Sequence, residues 1–465
     1  MAAEVVKPPL PLEEHELRTL AVPSPAPDGL SGKVQLEAQS AEGTASVLSE
    51  PPAQLEQTPA QRRTELIRYC ALLYAFVLIG WQDGSTGPLL PAIREYYQLN
   101  FTKVSLIFIL GCAGGAVGSF SLFYMLEKFG FGTVLVIGAA LHGIGTAIQA
   151  SAPPFPAFLV CSFIVGVGMS FQDATGNGYV ASLKRDASRK MGLLHAAYGL
   201  GAFASPLVAT QFSTLSGRKW AFSYIVTSAV AASTVGVVSF VFRFKRMEVL
   251  FAETNEPQMN QDVKVEGENN VDKLRNILKM PLVHFLALYI ALYVGVEVTM
   301  GGWVVTFIID ERGGGPNAGY ISAGFFGGLM VGRIVLLPLN AWLGERRAIF
   351  LYSTLTLALD IIIWRVPSLV GNAVAASLVG LLFGPWYPIV MTYAGLALPP
   401  QVLAGAVGYI AGFGIVGAAI IPFITGALAS RFEIKVMPIV VLIMTSIMIG
   451  VWGMAMRLGR KAKLD

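Results

Sequence analysis

Four carboxylates interrupt long apolar runs in this chain, Asp83, Asp173, Glu297 and Asp360, and the first three lie in stretches that suggest a chemistry. A carboxylate kept from water can take up and return a proton, or hold a polar ligand. Inside a membrane such groups are costly enough that they default to function. Asp83 lies in Gly80-Trp81-Gln82-Asp83-Gly84-Ser85-Thr86-Gly87-Pro88. Gly and Pro there would loosen a helix and expose backbone carbonyls. The plainer reading is a helix-end carboxylate wetted by an outer loop. Asp173 lies in Gln172-Asp173-Ala174-Thr175-Gly176-Asn177. Asn177 is one turn on and shares its helix face, a pair that can bind a polar ligand or cycle a proton. The alternative is a structural hydrogen bond to a neighbouring helix. Glu297 has Tyr293 one turn before it and Gly301-Gly302-Trp303 after it. It is read as a cavity residue, or else as a structural contact near a gate.

Other residues join this set. Gln172 and Asn177 flank Asp173 as amides. His195 offers a proton relay, its ordinary pKa being about 6.5, though a lone buried histidine is more often only hydrogen-bonded. Trp386, in Pro385-Trp386-Tyr387-Pro388, offers an aromatic wall for a sugar ring or flat ligand, or an anchor at a membrane interface. Arg333 either neutralises a carboxylate or pairs with Glu345, and both read as gating or structural charges. Asp360 is left without a role.

Other chemistries have no residues to carry them. There is no Gly-x-x-x-x-Gly-Lys-Ser/Thr, so ATP is not the driving force. No His-Glu-x-x-His and no Gly-x-Ser-x-Gly occur, and no catalytic cluster marks an enzyme. The three cysteines lie in apolar stretches and read as buried small hydrophobes. No metal or other cofactor is expected. A net charge of +4 gives no reason to expect nucleic acid.

The elements that must position these residues follow from composition. The chain of 465 residues is 54% hydrophobic and 13% charged, where a soluble domain carries about 25% charge. Mean hydropathy is +0.62. At roughly 20 apolar residues per span, the runs resolve into an all-α membrane protein with 12 spans. Residues 1–65, rich in Pro and acidic groups, read as a disordered tail. Six spans fill 66–242, a polar linker 243–280, six more spans 281–457, and a basic tail 458–465. Lys and Arg crowd the segments on the N-terminal side, among them Arg62, Arg63, Lys184, Arg185, Lys190, Arg243, Lys245, Arg346 and Arg457. The positive-inside rule then places both termini in the cytoplasm. Asn100-Phe101-Thr102 is a glycosylation sequon in the first outer loop, on the matching side. The start lacks an apolar signal segment. A multi-pass, monomeric protein of the plasma membrane is expected, with the vacuolar membrane as the alternative.

The halves echo each other. Gly114 and Gly327 are 213 residues apart, as are Gly199 and Gly412, and Asp83 maps to Glu297 within one residue of that register. The stripes Gly111, Gly115, Gly118 and Gly324, Gly328, Gly332 suit close helix packing.

From about Leu66 to Leu458 the chain resembles the major facilitator superfamily, and within it the fucose permease type (the fucose–proton symporter branch) and its fungal relatives. The stretches that carry this are Trp81-Gln82-Asp83 with Pro88 and Pro91, Gln172 through Asn177, and Tyr293 through Glu297 with Gly301-Gly302-Trp303. The resemblance implies two six-helix halves and alternating access. It also implies acidic residues in spans 1 and 4 for substrate binding and proton coupling, here Asp83 and Asp173. The chain departs from that type with Asp for Glu in span 4, and with His195 where it carries Gln. The superfamily's loop motif between spans 2 and 3 survives poorly in Glu127-Lys128-Phe129-Gly130. The expected activity is proton-coupled movement of a small organic molecule, first as uptake of a sugar-like solute. Export of a metabolite by proton antiport and a non-transporting sensor are the alternatives.

Overall fold

A chain in lipid must satisfy its backbone polar groups internally, which helices do. The computed structural model describes residues 57–183, 185–255 and 275–461, and among these it contains helices and no strands. Twelve helices are long and apolar enough to cross a bilayer. We label them α1 (Pro59–Tyr96), α2 (Phe101–Phe129), α3 (Phe131–Gln149), α4 (Phe155–Ala181), α5 (Arg189–Ser213) and α6 (Gly217–Phe242). The second six are α7 (Pro281–Arg312), α8 (Pro316–Val335), α9 (Glu345–Arg365), α10 (Leu369–Ala397), α11 (Gly405–Phe432) and α12 (Ile434–Gly459). An even number of crossings puts the start of α1 and the end of α12 on one side, here the terminal face. The other side is the far face.

Three boundaries differ from expectation. α1 begins at Pro59, inside the expected tail, because Thr58 and Gln61 form a reciprocal capping box and Pro fits the first helical turn. The rest of that tail, 1–56, lies outside the described residues. α1 also runs unbroken past Pro88 and Pro91 to Tyr96, so the expected loosening around Asp83 does not interrupt it. The expected linker contains an ordered helix, Met247–Thr254, while 256–274 lie outside the described residues. Arg68 of α1 donates to the Leu250 carbonyl at 2.6 Å and pairs with Glu253, as does Lys245. The Lys245 bond, aided by Arg68, holds the Glu253 carboxyl below the usual carboxylate range. The tie is therefore present above the ordinary carboxylate pKa and is lost as pH falls through the folded value. Of the cysteines, Cys161 is buried as expected but Cys70 is exposed on α1.

Packing repeats between the halves. α1 packs on α5 as α7 packs on α11; α2 on α4 as α8 on α10; α3 on α6 as α9 on α12. The halves meet through α1 with α7, α2 with α11 and α5 with α8. Both glycine stripes lie against a neighbouring helix: Gly118 against Ser170 of α4, Gly328 and Gly332 against Ser377 and Leu381 of α10. A side chain at Gly332 would overlap the Leu381 carbonyl. Gly332→Val is expected to destabilise the protein by about 1–3 kcal/mol, as overpacking does. Thermal unfolding in detergent checks this, and an unchanged midpoint would mean that α8 and α10 separate freely.

Candidate functional site

Helix length and direction bring six polar side chains to one level. Counted from the far-face end of its helix, Asp83 stands 13 residues in, Glu297 and Tyr198 15, Arg333 17, and Asp173 and Tyr387 18. At about 1.5 Å per residue this is about 20–27 Å deep. Asp83, Asp173 and Tyr198 come from the first half; Glu297, Arg333 and Tyr387 come from the second.

Their contacts are specific. The Tyr198 hydroxyl donates to Asp83 Oδ2 at 2.8 Å. Asn177 Nδ2 donates to Asp173 Oδ1 at 3.0 Å, which confirms the shared helix face, and Asn177 Oδ1 has no partner. Tyr293, one turn before Glu297, donates its hydroxyl to the Phe383 carbonyl at 3.3 Å, and the Arg333 guanidinium acts on the Glu297 carboxylate. Asp83 feels both Glu297 and Asp173. Tyr387 lies in the field of Asp173, Arg333 and Glu297. Arg333 Nη1 crosses to the first half and donates to the His195 carbonyl at 3.4 Å, while its Nε has no partner. Asp83 and Asp173 are exposed despite their depth, while Glu297 and Arg333 are half-buried. Three carboxylates and one guanidinium thus stand at this level among the described residues, and of the three Glu297 feels the guanidinium.

Several expected residues sit elsewhere. Gln172 is fully buried, with Nε2 3.4 Å from His142 Nδ1 on α3 and 3.2 Å from the Gly168 carbonyl. Trp386 is also fully buried, its ring 4.7 Å from Phe383 and 5.9 Å from Tyr293. Neither faces the gap between the halves. One residue is about 100° around a helix, so their neighbours Asp173 and Tyr387 do. The His195 ring packs edge-on against Phe76 at 6.0 Å, and its backbone carbonyl accepts from Arg333 of the second half. Glu345 lies at the terminal face, beside a cavity of about 340 Å³ lined with Arg346, Arg347 and Tyr393. Among the described residues no ion pair joins it to Arg333. Asn100 is exposed at the far face and caps the turn that opens α2, its Oδ1 accepting from Lys103 N at 2.8 Å.

Tyr198 and Tyr387 were not singled out by the sequence. Tyr198 follows His195 by one turn, and Tyr387 is the second aromatic of the Pro385-Trp386-Tyr387-Pro388 stretch, so each stood beside a residue already named.

Further cross-half polar contacts lie at the far face. There, Arg94 pairs with Asp310 at 2.9 Å, and Thr102 bonds Ser430 through its N and Oγ1, both at 2.8 Å. Gln211 also donates to Tyr320.

A sequence profile described as Major Facilitator Superfamily matches residues 72–422. Bypass of stop codon protein 6 of Saccharomyces cerevisiae is 27% identical over 410 residues, covering 83% of this chain and 82% of that protein. A glucose/galactose transporter of Brucella abortus is 24% identical over 393 residues, covering 80% and 90%. The crystal structure of FucP, a fucose:proton symporter, in the outward conformation overlays with a TM-score of 0.59. It covers 84% of this chain and 99% of FucP at 16% identity, a likeness of fold.

Proposed function

This chain belongs to the Major Facilitator Superfamily, and from that premise we propose that it is a proton-coupled transporter of a neutral, hydroxyl-rich small molecule. As a member of that family it is a secondary transporter and not an enzyme. The observation that carries the finer reading is the excess of carboxylates over guanidinium at one level between the halves. Asp83, Asp173 and Glu297 against Arg333 leave a net negative charge deep in a low-dielectric slab, which must be neutralised before the halves can close over it. Three carboxylates against one guanidinium need two protons, and protons on both Asp173 and Asp83 leave Glu297 balanced by Arg333. The phenols of Tyr198 and Tyr387, the free Asn177 oxygen and the carboxylates match the many donors and acceptors of a sugar. The names of the relatives, a glucose/galactose transporter and a fucose:proton symporter, support the same substrate class.

Substrate-induced alkalinisation of the proton-donating side, followed with a pH-sensitive dye in proteoliposomes across a sugar library, tests this. Proton movement with one sugar supports it. Flux without proton movement would leave a facilitator and remove the carboxylates from coupling.

The Lys and Arg of the terminal face support a cytoplasmic position for it by the positive-inside rule. The conformation described is then shut towards the outside and opens inwards. Arg94–Asp310 is one latch of that shut side. If the pair contributes about 1 kcal/mol, Arg94→Ala is expected to raise the outward-open population about fivefold. Faster labelling of an outer-vestibule cysteine would show it, and unchanged labelling would mean the pair is not a latch.

A further inference from the structure

The two halves differ at one matched position on the terminal face. Gly130, between α2 and α3, and Gly344, between α8 and α9, are 214 residues apart, the spacing that separates Asp83 from Glu297. Both have a positive φ, +79° and +78°. In the first half the chain beyond α6 fills the crevice at this turn. Arg246 Nη1 donates to the Glu127 carbonyl at 3.1 Å, and the Lys245 carbonyl accepts from Gly132 N at 2.9 Å. A side chain at Gly130 would overlap Arg246. In the second half a side chain at Gly344 would meet nothing within 4 Å, and the cavity of about 340 Å³ opens beside it.

That cavity has apolar walls and an excess of positive charge. Leu343, Ile389 and Leu396 line it together with Arg346 and Arg347, and Glu345 is its one carboxylate. Among the described residues neither guanidinium is in an ion pair. The Arg346 guanidinium lies over the Tyr393 ring at 5.1 Å, and its backbone carbonyl accepts from Trp452 Nε1 at 3.1 Å. Two cations against one carboxylate leave a positive charge at the end of an apolar span. The surroundings suit lipid. Arg347, Leu351 and Leu355 stand at i, i+4 and i+8 on one face of α9, and all three are exposed. Trp342, two residues before Gly344, is 80% exposed, and tryptophan is enriched at the level of lipid headgroups.

We propose that this cavity binds the phosphate headgroup of an anionic phospholipid from the leaflet that meets the terminal face. Arg346 and Arg347 take the phosphate oxygens, for which guanidinium groups are well shaped. Leu343, Ile389 and Leu396 receive the glycerol and the start of the acyl chains, which continue along Leu351 and Leu355. Basic pockets between spans at a membrane face are suited to such headgroups. The matched crevice of the first half cannot take one, because Arg246 occupies it. The apolar stripe beyond Arg347 favours a lipid over a soluble phosphate. The site does not rest on the transport reading.

Thermal unfolding of the full-length protein in detergent tests this, with phosphatidylglycerol, phosphatidylcholine or glycerol phosphate added at matched concentration and constant ionic strength. The wild-type midpoint is expected to rise with phosphatidylglycerol and with neither of the others, as binding to the folded state requires. Arg346→Gln/Arg347→Gln raises the half-effect concentration about tenfold. Arg347→Gln alone, at an exposed position, raises it about threefold and carries the test if the double variant does not fold. Arg63→Gln/Arg457→Gln, which removes two exposed charges from the same face, leaves the response in place. A midpoint indifferent to phosphatidylglycerol overturns the proposal, as does an equal rise with phosphatidylcholine. So does a rise that survives in Arg346→Gln/Arg347→Gln, or one that Arg63→Gln/Arg457→Gln weakens to the same extent. An equal rise with glycerol phosphate also overturns it and assigns the cavity to a soluble phosphate.

Discussion

Asp173→Asn is expected to abolish substrate-driven proton movement and accumulation against a gradient, while substrate binding and equilibrative exchange persist. The substitution keeps the size of the side chain and an oxygen to accept from Asn177 Nδ2, but removes the group that can gain and lose a proton. One proton moving through about 100 mV supplies about 2.3 kcal/mol. At about 1.4 kcal/mol per factor of ten, that sustains roughly a fifty-fold concentration ratio. The variant's ratio should fall to about one. Radiolabelled uptake into energised proteoliposomes reads the ratio, and counterflow reads the exchange. Retained accumulation would move the coupling role to Asp83, held by Tyr198.

Arg333→Gln should be the most damaging single change at the centre for stability. It removes the guanidinium that offsets Glu297 and the donor that reaches the His195 carbonyl in the other half. Breaking a direct buried ion pair costs about 3–5 kcal/mol; these two groups are half-buried and in no direct ion pair, so a loss of about 1–2 kcal/mol is expected. The companion Glu297→Gln/Arg333→Gln should recover more than half of the loss, because it removes the stranded charge as well. A double-mutant cycle on thermal midpoints measures the coupling. If the double variant is no more stable than Arg333→Gln, the pair is not coupled and the guanidinium serves the cross-half contact alone.

The helix count, the repeat and the depth of each carboxylate could all be read from residue order. A charged residue in an apolar run is unmistakable, and counting residues to the nearest polar end fixes its level to within a turn. Which way a residue faces was much less legible. In a soluble helix the polar stripe marks the outside. In lipid the outside is as apolar as the packed core, so the pattern carries no such mark. Gln172 and Asp173 are adjacent and equally polar, yet one is sealed against His142 and the other opens between the halves. Trp386 and Tyr387 divide in the same way. The start of α1 was legible in Thr58 and Gln61, but the Pro-rich composition around them masked it.

The sequence by itself determined a membrane-embedded, twelve-span secondary transporter with four intramembrane carboxylates and one arginine, because burying charge in an apolar run is too costly to occur without a use. Only the tertiary structure decided which of these groups meet. Contact across the gap depends on helix rotation and on which helices pair, and both are set by small-residue packing spread over the whole chain.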